Sequence, residues 1–261
     1  MEKFFITNRY GLKIVGEIYT PANSTGLAIV QHGLGGFKEQ LNTMAMVDTL
    51  FANNYIVINF DATNSIGESG GKYENATMQL HYEDLVDVIA WAKGQAWYKE
   101  PFVLAGHSLG GYAVAQYAED YPEQVKGVFP FALVVSGELS YKKYEQLKPE
   151  ELKKWKETGW KEEESKSKPG FIKRLPYSHM EERLKHNLLP HADKLTMPIL
   201  FVMGENDESC PSDHQKVLYD ILPEITEKEF HTVKGAPHTF KEAGDLNELR
   251  NILDKWLKKL K

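Results

Sequence analysis

The chain has 261 residues, 42% of them hydrophobic and 11% aromatic, which is enough apolar material for a large buried core and excludes a disordered chain. Its 31 basic and 37 acidic residues leave a net charge of −6, so bulk electrostatics argue against nucleic acid or an anionic membrane as a partner. No apolar run reaches the roughly 18–20 residues of a membrane helix, the opening MEKFFITNRYG lacks the basic–apolar–small order of a secretory leader, and one cysteine, Cys210, allows no intrachain disulfide; the expected compartment is cytoplasmic.

The first twenty residues read as an antiparallel hairpin, FFIT (4–7) and LKIVGEIYT (12–20), turning at Asn8 to Gly11. Short apolar runs then alternate with helix-length segments: LAIVQ (27–31), YIVINF (55–60), FVLAG (102–106), VFPFALVV (128–135), PILFVMG (198–204) and EKEFHTV (227–233). Runs apolar on both faces and separated by helices indicate an α/β chain with a mostly parallel sheet covered by helices on both faces. Leu85, Val88, Ile89 and Ala92 make one helical stripe, and Leu246, Leu249, Leu253, Trp256, Leu257 and Leu260 make another. One stretch breaks the rhythm. Between Tyr141 and Lys168, 16 of 28 residues are Lys or Glu, with four large aromatics among them. Residues 137–190 read as a mostly helical insertion above the sheet, dividing a core of 1–136 and 191–261; the plainer reading is a solvated surface excursion.

The sequence GHSLG at 106–110 directly follows the strand FVLAG and directly precedes the helix-like run YAVAQYAED. G-x-S-x-G in that context is a nucleophile elbow, whose tight turn needs residues without bulk on either side of Ser108 and lifts the hydroxyl to the positive end of the next helix. A serine hydroxyl is a poor nucleophile without a base and an acid that orients the base. In an elbow-bearing sheet these follow in the order serine, acid, histidine. Asp207, after PILFVMG, and His238, in GAPHTF after the last strand, stand where that order requires. Glu205 lies nearly on the strand and Asp213 reads as an acid in the first turn of a helix, while Asp61, after YIVINF, would be the acid of a variant layout. Of the other histidines, His32 reads as a structural hydrogen-bonder, His107 as facing away from the serine hydroxyl and His231 as structural, and His81, His179, His186, His191 and His214 read as surface residues. HGLGG at 32–36 offers backbone N–H groups, so the oxyanion hole is assigned to the N–H of Leu34 and of Leu109. The glycine loop lacks both phosphate-binding spacings, and no H-E-x-x-H or cysteine–histidine ligand spacing occurs, so neither a cofactor nor a metal is expected.

Taken together, HGLGG, GHSLGG, GENDESCP and GAPHTF resemble the α/β-hydrolase superfamily, and within it the small serine esterases that include bacterial cinnamoyl and feruloyl esterases and serine-aminopeptidase-like hydrolases. The resemblance covers the chain outside 137–190. It implies an eight-stranded sheet with one antiparallel strand and a cap inserted after the sixth strand. Those relatives carry D-x-R-G-x-G-x-S after the fourth strand, whereas here DATNSIGES is a residue longer and lacks the arginine, so the loop from Asp61 to Ser69 is expected to be shaped differently and to help form the pocket wall. The function expected is hydrolysis of a small soluble ester, with a short acyl chain or an aromatic acid, through an acyl-serine intermediate. A peptidase or amidase on the same residues, and a non-catalytic binding protein, are the alternatives. Trp155, Trp160, Phe171 and Tyr177 are the side chains expected to roof the pocket.

Overall fold

The computed structural model describes residues 1–165 and 167–260. In chain order the elements are β1 (Glu2–Thr7), β2 (Lys13–Tyr19), β3 (Gly26–Gln31), α1 (Leu41–Ala52), β4 (Tyr55–Asp61), α2 (Met78–Ala92), β5 (Phe102–His107), α3 (Leu109–Asp120) and β6 (Val125–Phe131). They continue as α4 (Gly137–Leu147), α5 (Pro149–Thr158), β7 (Trp160–Glu164), β8 (Ile172–Pro176), α6 (Ser178–Arg183), β9 (Ile199–Asn206), α7 (Ser212–Ile221), β10 (Lys228–Pro237) and α8 (Ala243–Leu257).

The hairpin at the start turns because Asn8 organises it: its side-chain oxygen accepts the N–H groups of Tyr10 and Leu12, and its amide donates to buried Asp84. Eight strands form one sheet in the order β1-β2-β4-β3-β5-β6-β9-β10, in which β2 alone runs against the rest. The period of two along each strand divides the core in two. Leu27, Ile29, Ile56, Ile58, Phe60, Leu104, Phe201 and Met203 meet α2, α3 and α7 on one face. Ala28, Val30, Tyr55, Val57, Val103, Ala105, Leu200 and Val202 meet α1 and α8 on the other. Strands buried on both faces explain the unbroken apolar runs in the sequence. Among the described residues no helix is long and apolar enough to cross a membrane.

Two elements differ from the sequence expectation. The sixth strand stops at Phe131 rather than Val135, because Ala132 takes φ +47 and turns the chain beneath Ser108, whose carbonyl accepts the N–H of Val134. The segment 137–190 is not simply helical: α4, α5 and α6 share it with the hairpin β7–β8, which forms a separate two-stranded sheet. Gly159 (φ +75) ends α5 and Gly170 (φ +84) sits between the two strands. Charges in the hairpin pair across its strands, Arg174 with Glu162 at 3.0 Å and Lys173 with Glu163 at 2.5 Å. Ser136 and Asn187 are bridged, so the segment leaves and re-enters the core at one point.

Glu119, on α3, is buried, and its Oε1 has no hydrogen-bond partner among the described residues. Burial, reinforced by Asp120 and Asp193 against Lys194, pushes its carboxyl up to about 8. From the ordinary glutamate range up to pH ~8 the unfolded chain releases this proton while the folded chain keeps it, so stability falls as pH rises through that window, by up to about 5 kcal/mol. Glu119→Gln is expected to flatten this slope relative to wild type and to raise stability at pH ~8, read from denaturant unfolding at pH ~5 and ~8.

Candidate active site

The elbow is built by close backbone approach. Ser108 holds φ 53 and ψ −109, an arrangement that costs about 1–3 kcal/mol and persists only where its surroundings fix it. A Cβ on Gly106 would lie 2.3 Å from the Gly110 carbonyl oxygen, and one on Gly110 would lie 2.4 Å from that of Gln31. The glycines therefore let β5, α3 and β3 converge. Gly33 does the same for the HGLGG loop, since a Cβ there would lie 3.1 Å from that of Ser108.

Asp207 and His238 are brought together by the ends of β9 and β10. A Cβ on Gly204 would lie 2.2 Å from the Ala236 carbonyl. Glu205 accepts the Gly235 N–H at 2.8 Å, and Asn206 donates to the Gly235 carbonyl at 3.1 Å. The result is a hydrogen-bonded series. The His238 Nδ1–H donates to Asp207 Oδ2 at 2.8 Å, which leaves Nε2 as the acceptor of the Ser108 hydroxyl at 3.0 Å. The carboxylate fixes this tautomer because it can only accept. Burial alone would raise the Asp207 carboxyl, but the His238 hydrogen bond and the N–H groups of Cys210 and Ser209 outweigh it and hold it below the usual range.

The rival acids are engaged elsewhere. Asp61 is buried and accepts the N–H groups of Lys38 (2.7 Å) and Glu68 (2.8 Å). Its counter-ion is Lys38, a fully buried lysine from the loop after HGLGG that also meets Glu68 at 2.6 Å, so a cation from elsewhere stands in a loop that lacks an arginine. Asp213 is exposed in the first turn of α7, and Glu205 clamps Gly235. The loop from Asp61 to Ser69 does not line the cavity above Ser108. It backs the wall instead, where Ile66 packs with Tyr73 and Trp155.

Among the histidines, His32 holds its loop: Nδ1 donates to the Gly33 carbonyl at 2.8 Å and Nε2 accepts the Ala62 N–H at 3.0 Å, and burial lowers its pKa to about 4. His107 does not reach the Ser108 hydroxyl but bonds the His238 carbonyl at 3.1 Å and so steadies that loop, a role that spacing along the chain does not reveal. His81, His179 and His186, expected at the surface, are buried. Each finds a partner far away in sequence: the His32 carbonyl, the Ala76 carbonyl and the Tyr112 hydroxyl respectively.

Ser108 and His238 open into a cavity of about 660 Å³ that Leu34, Leu109 and Cys210 also line. Neither the Leu34 nor the Leu109 N–H donates to an acceptor among the described residues. Of the expected roof, Trp155 reaches the cavity, with its indole N–H donating to the Leu175 carbonyl. Phe171 packs behind it on Tyr73, and Tyr177 on Trp155. Trp160 stands outside, its ring stacked on the Arg174 guanidinium.

A strained serine between β5 and α3, with a histidine and an acid from the ends of β10 and β9 on an eight-stranded sheet, defines an α/β hydrolase. The chain belongs to the prolyl oligopeptidase family, whose model matches residues 42–261. Among curated proteins it is 28% identical over 207 residues to the mitochondrial palmitoyl-protein thioesterase ABHD10 of Mus musculus, covering 78% of this chain and 65% of that protein, so it spans about two thirds of the relative's length. Alpha/beta hydrolase domain-containing protein 10 from mouse superposes with a TM-score of 0.79 at 23% identity over the whole of both chains. Est1E from Butyrivibrio proteoclasticus with bound ferulic acid superposes with a TM-score of 0.78 at 19% identity, covering 98% of each chain.

Asp207→Asn is expected to slow labelling of Ser108 by a fluorophosphonate by roughly 10³–10⁴-fold, because an amide does not hold His238 in the required tautomer. Asp213→Asn should change that rate less than about threefold. A larger loss in Asp61→Asn than in Asp207→Asn would move the acid to β4.

Proposed function

We propose that the protein is a serine carboxylesterase that hydrolyses small soluble carboxylic esters through an acyl-serine intermediate. The observation that carries this reading is the hydrogen-bonded series Ser108–His238–Asp207 opening into a cavity beside two uncommitted backbone N–H groups. Ser108 Oγ attacks the ester carbonyl carbon while its proton passes to His238 Nε2. Asp207 orients the imidazolium, and the N–H groups of Leu34 and Leu109 receive the oxyanion. Collapse breaks the bond to the alcohol, which leaves with the proton from His238. Water, deprotonated by His238, then releases the acid and restores Ser108. This sequence needs no cofactor or metal.

In this reading residues 1–136 and 191–261 are the core and 137–190 is a cap that limits which acyl or alcohol group fits. Its support is that Tyr144, Trp155, Lys161, Leu175 and Met180, all from that segment, line the cavity over Ser108. The charged lining favours a compact, polar or aromatic ester over a long hydrocarbon chain. The single cysteine, which permits no intrachain disulfide, supports the cytoplasm as the compartment. A second reading, cleavage of peptide or amide bonds by the same residues, is favoured by the family to which the chain belongs. Palmitoyl thioester hydrolysis, the activity named for the ABHD10 relative, is the long-chain competitor.

Ser108→Ala is expected to lower kcat for 4-nitrophenyl acetate by at least about 10³-fold with the melting temperature nearly unchanged. Activity within tenfold of wild type would refute the mechanism. Across 4-nitrophenyl esters of two to sixteen carbons, methyl ferulate, aminoacyl anilides and a palmitoyl thioester, kcat/KM should be highest for the short and aromatic esters. A maximum at the anilides or the palmitoyl thioester would favour the corresponding rival. Replacing 137–190 by a short Gly-Ser linker between the bridged ends should reorder this panel while Ser108 stays reactive to a small fluorophosphonate. An unchanged ranking would make the segment a solvated appendage.

A further inference from the structure

The cavity wall carries one cation with no visible purpose in the reaction above. Arg183, the last residue of α6, lines the cavity together with Ser108, Cys210, Tyr73 and His179. Its main chain is structural: the carbonyl accepts the His186 N–H, and Gly137 packs so close that a Cβ there would lie 1.8 Å from that oxygen. Its guanidinium is not. The Nε is sealed from solvent without a hydrogen-bond partner, and no carboxylate among the described residues forms an ion pair with it. The adjacent Glu182 attracts it through space, but its hydrogen bonds go to His186 and to the N–H groups of Met78 and Gln79. The residue keeps part of its surface exposed, and the cavity is what that surface lines.

The other cations of the lining are accounted for. Lys161 pairs with Glu151 at 2.8 Å, Lys173 pairs with Glu163 at 2.5 Å, and Lys241 is exposed to solvent. The lining carboxylates are engaged or exposed: Glu163 pairs with Lys173, Glu164 accepts the Gly170 N–H, and Glu242 faces solvent. His179 donates from Nδ1 to the Ala76 carbonyl, its Nε2 is buried and unpartnered, and burial lowers its pKa to about 4. Burial pushes the Cys210 thiol and the Tyr73 hydroxyl upward, and the nearby Arg183 only partly offsets this in each. The Tyr73 hydroxyl makes no hydrogen bond to a described residue and lines the same cavity. A partly buried cation with no ion-pair partner among the described residues is a cost to the fold, and burial draws the Arg183 pKa down against the attraction of Glu182. Such a group is retained where a ligand supplies the missing anion, and a planar guanidinium with forked donors matches a carboxylate in two parallel hydrogen bonds.

We propose that Arg183, with the Tyr73 hydroxyl, is the recognition point for a carboxylate on the substrate, so that the preferred esters carry a free carboxylate on their acyl or alcohol part. The proposal rests on the hydrolase reading above and names the substrate class within it. A monoester of a dicarboxylic acid and an ester of a hydroxy acid both present this group, and the assay separates them.

The experiment compares matched pairs on the intact protein: mono-4-nitrophenyl glutarate against 4-nitrophenyl valerate for a carboxylate in the acyl part, and 3-acetoxybenzoate against 3-acetoxybenzamide for one in the alcohol part. Wild type is expected to favour the carboxylate member of one pair by about tenfold or more in kcat/KM, and Arg183→Gln to reduce that ratio about 10–100-fold. Arg183→Lys should fall between them, because it keeps the charge and loses the fork. Removal of an uncompensated buried charge should leave the melting temperature of Arg183→Gln equal to or above that of wild type. Should that variant fail to fold, wild type alone decides: glutarate or benzoate must slow fluorophosphonate labelling of Ser108 more than the corresponding amide does. A wild type without preference in either pair, an Arg183→Gln that loses both members of a pair equally, or acid and amide competing alike would overturn the proposal. A Ser108 inert to fluorophosphonate would overturn the hydrolase reading itself, whereas a reactive Ser108 without carboxylate preference would overturn this inference alone.

Discussion

Everything at the site depends on one strained residue. Ser108 sits at φ 53 because β5 must pass into α3 without a loop, and the fold holds it there through Gly106 and Gly110, each in backbone contact too close for a Cβ, with Gly33 packed tightly against His107 and Ser108. Those contacts also set β3, β5 and α3 at fixed distances, so the geometry of the nucleophile and the packing of the sheet are the same constraint. The 2.9 Å hydrogen bond from the Ser108 N–H to the Phe131 carbonyl extends it to β6 and explains why that strand ends four residues before its apolar run does.

The second organising element is a group of buried charges away from the serine. Lys38 is fully buried among Asp61, Glu68, Glu39 and Glu17, and through Asp61 it fixes both the loop after HGLGG and the loop after β4. A carboxylate this heavily committed is not available to orient a histidine, and it is Asp207, at the end of β9, that accepts the His238 N–H. The backbone N–H groups that bind Asp61 and the main-chain oxygens that bind His32, His81 and His107 make the site's supports polar and fully directional.

The segment 137–190 joins the two halves of the protein's chemistry. Its outer surface is solvated and laced with cross-strand ion pairs, while its inner face supplies Trp155, Leu175, Met180 and Arg183 to the cavity. One stretch therefore reads as a charged appendage by composition and as a pocket wall by position.

The sheet and the glycine-flanked serine turn are legible along the chain. Strands buried on both faces leave continuous apolar runs, the stripe of Leu85, Val88, Ile89 and Ala92 marks a helix, and Ser108 between glycines after FVLAG is a local signature. The family match, over residues 42–261, agrees with the hydrolase fold. Partners remote in sequence emerge only on folding: Ser108 with His238 130 positions further on, Asp61 with Lys38, the burial of His81, His179 and His186, and the Arg183 Nε left without a hydrogen bond among the described residues. Charge and polarity are properties of a residue, but whether a charge is paired is a property of its neighbours, and the hairpin β7–β8 escaped the mostly helical reading of 137–190 because pairing across its strands leaves no period in the chain.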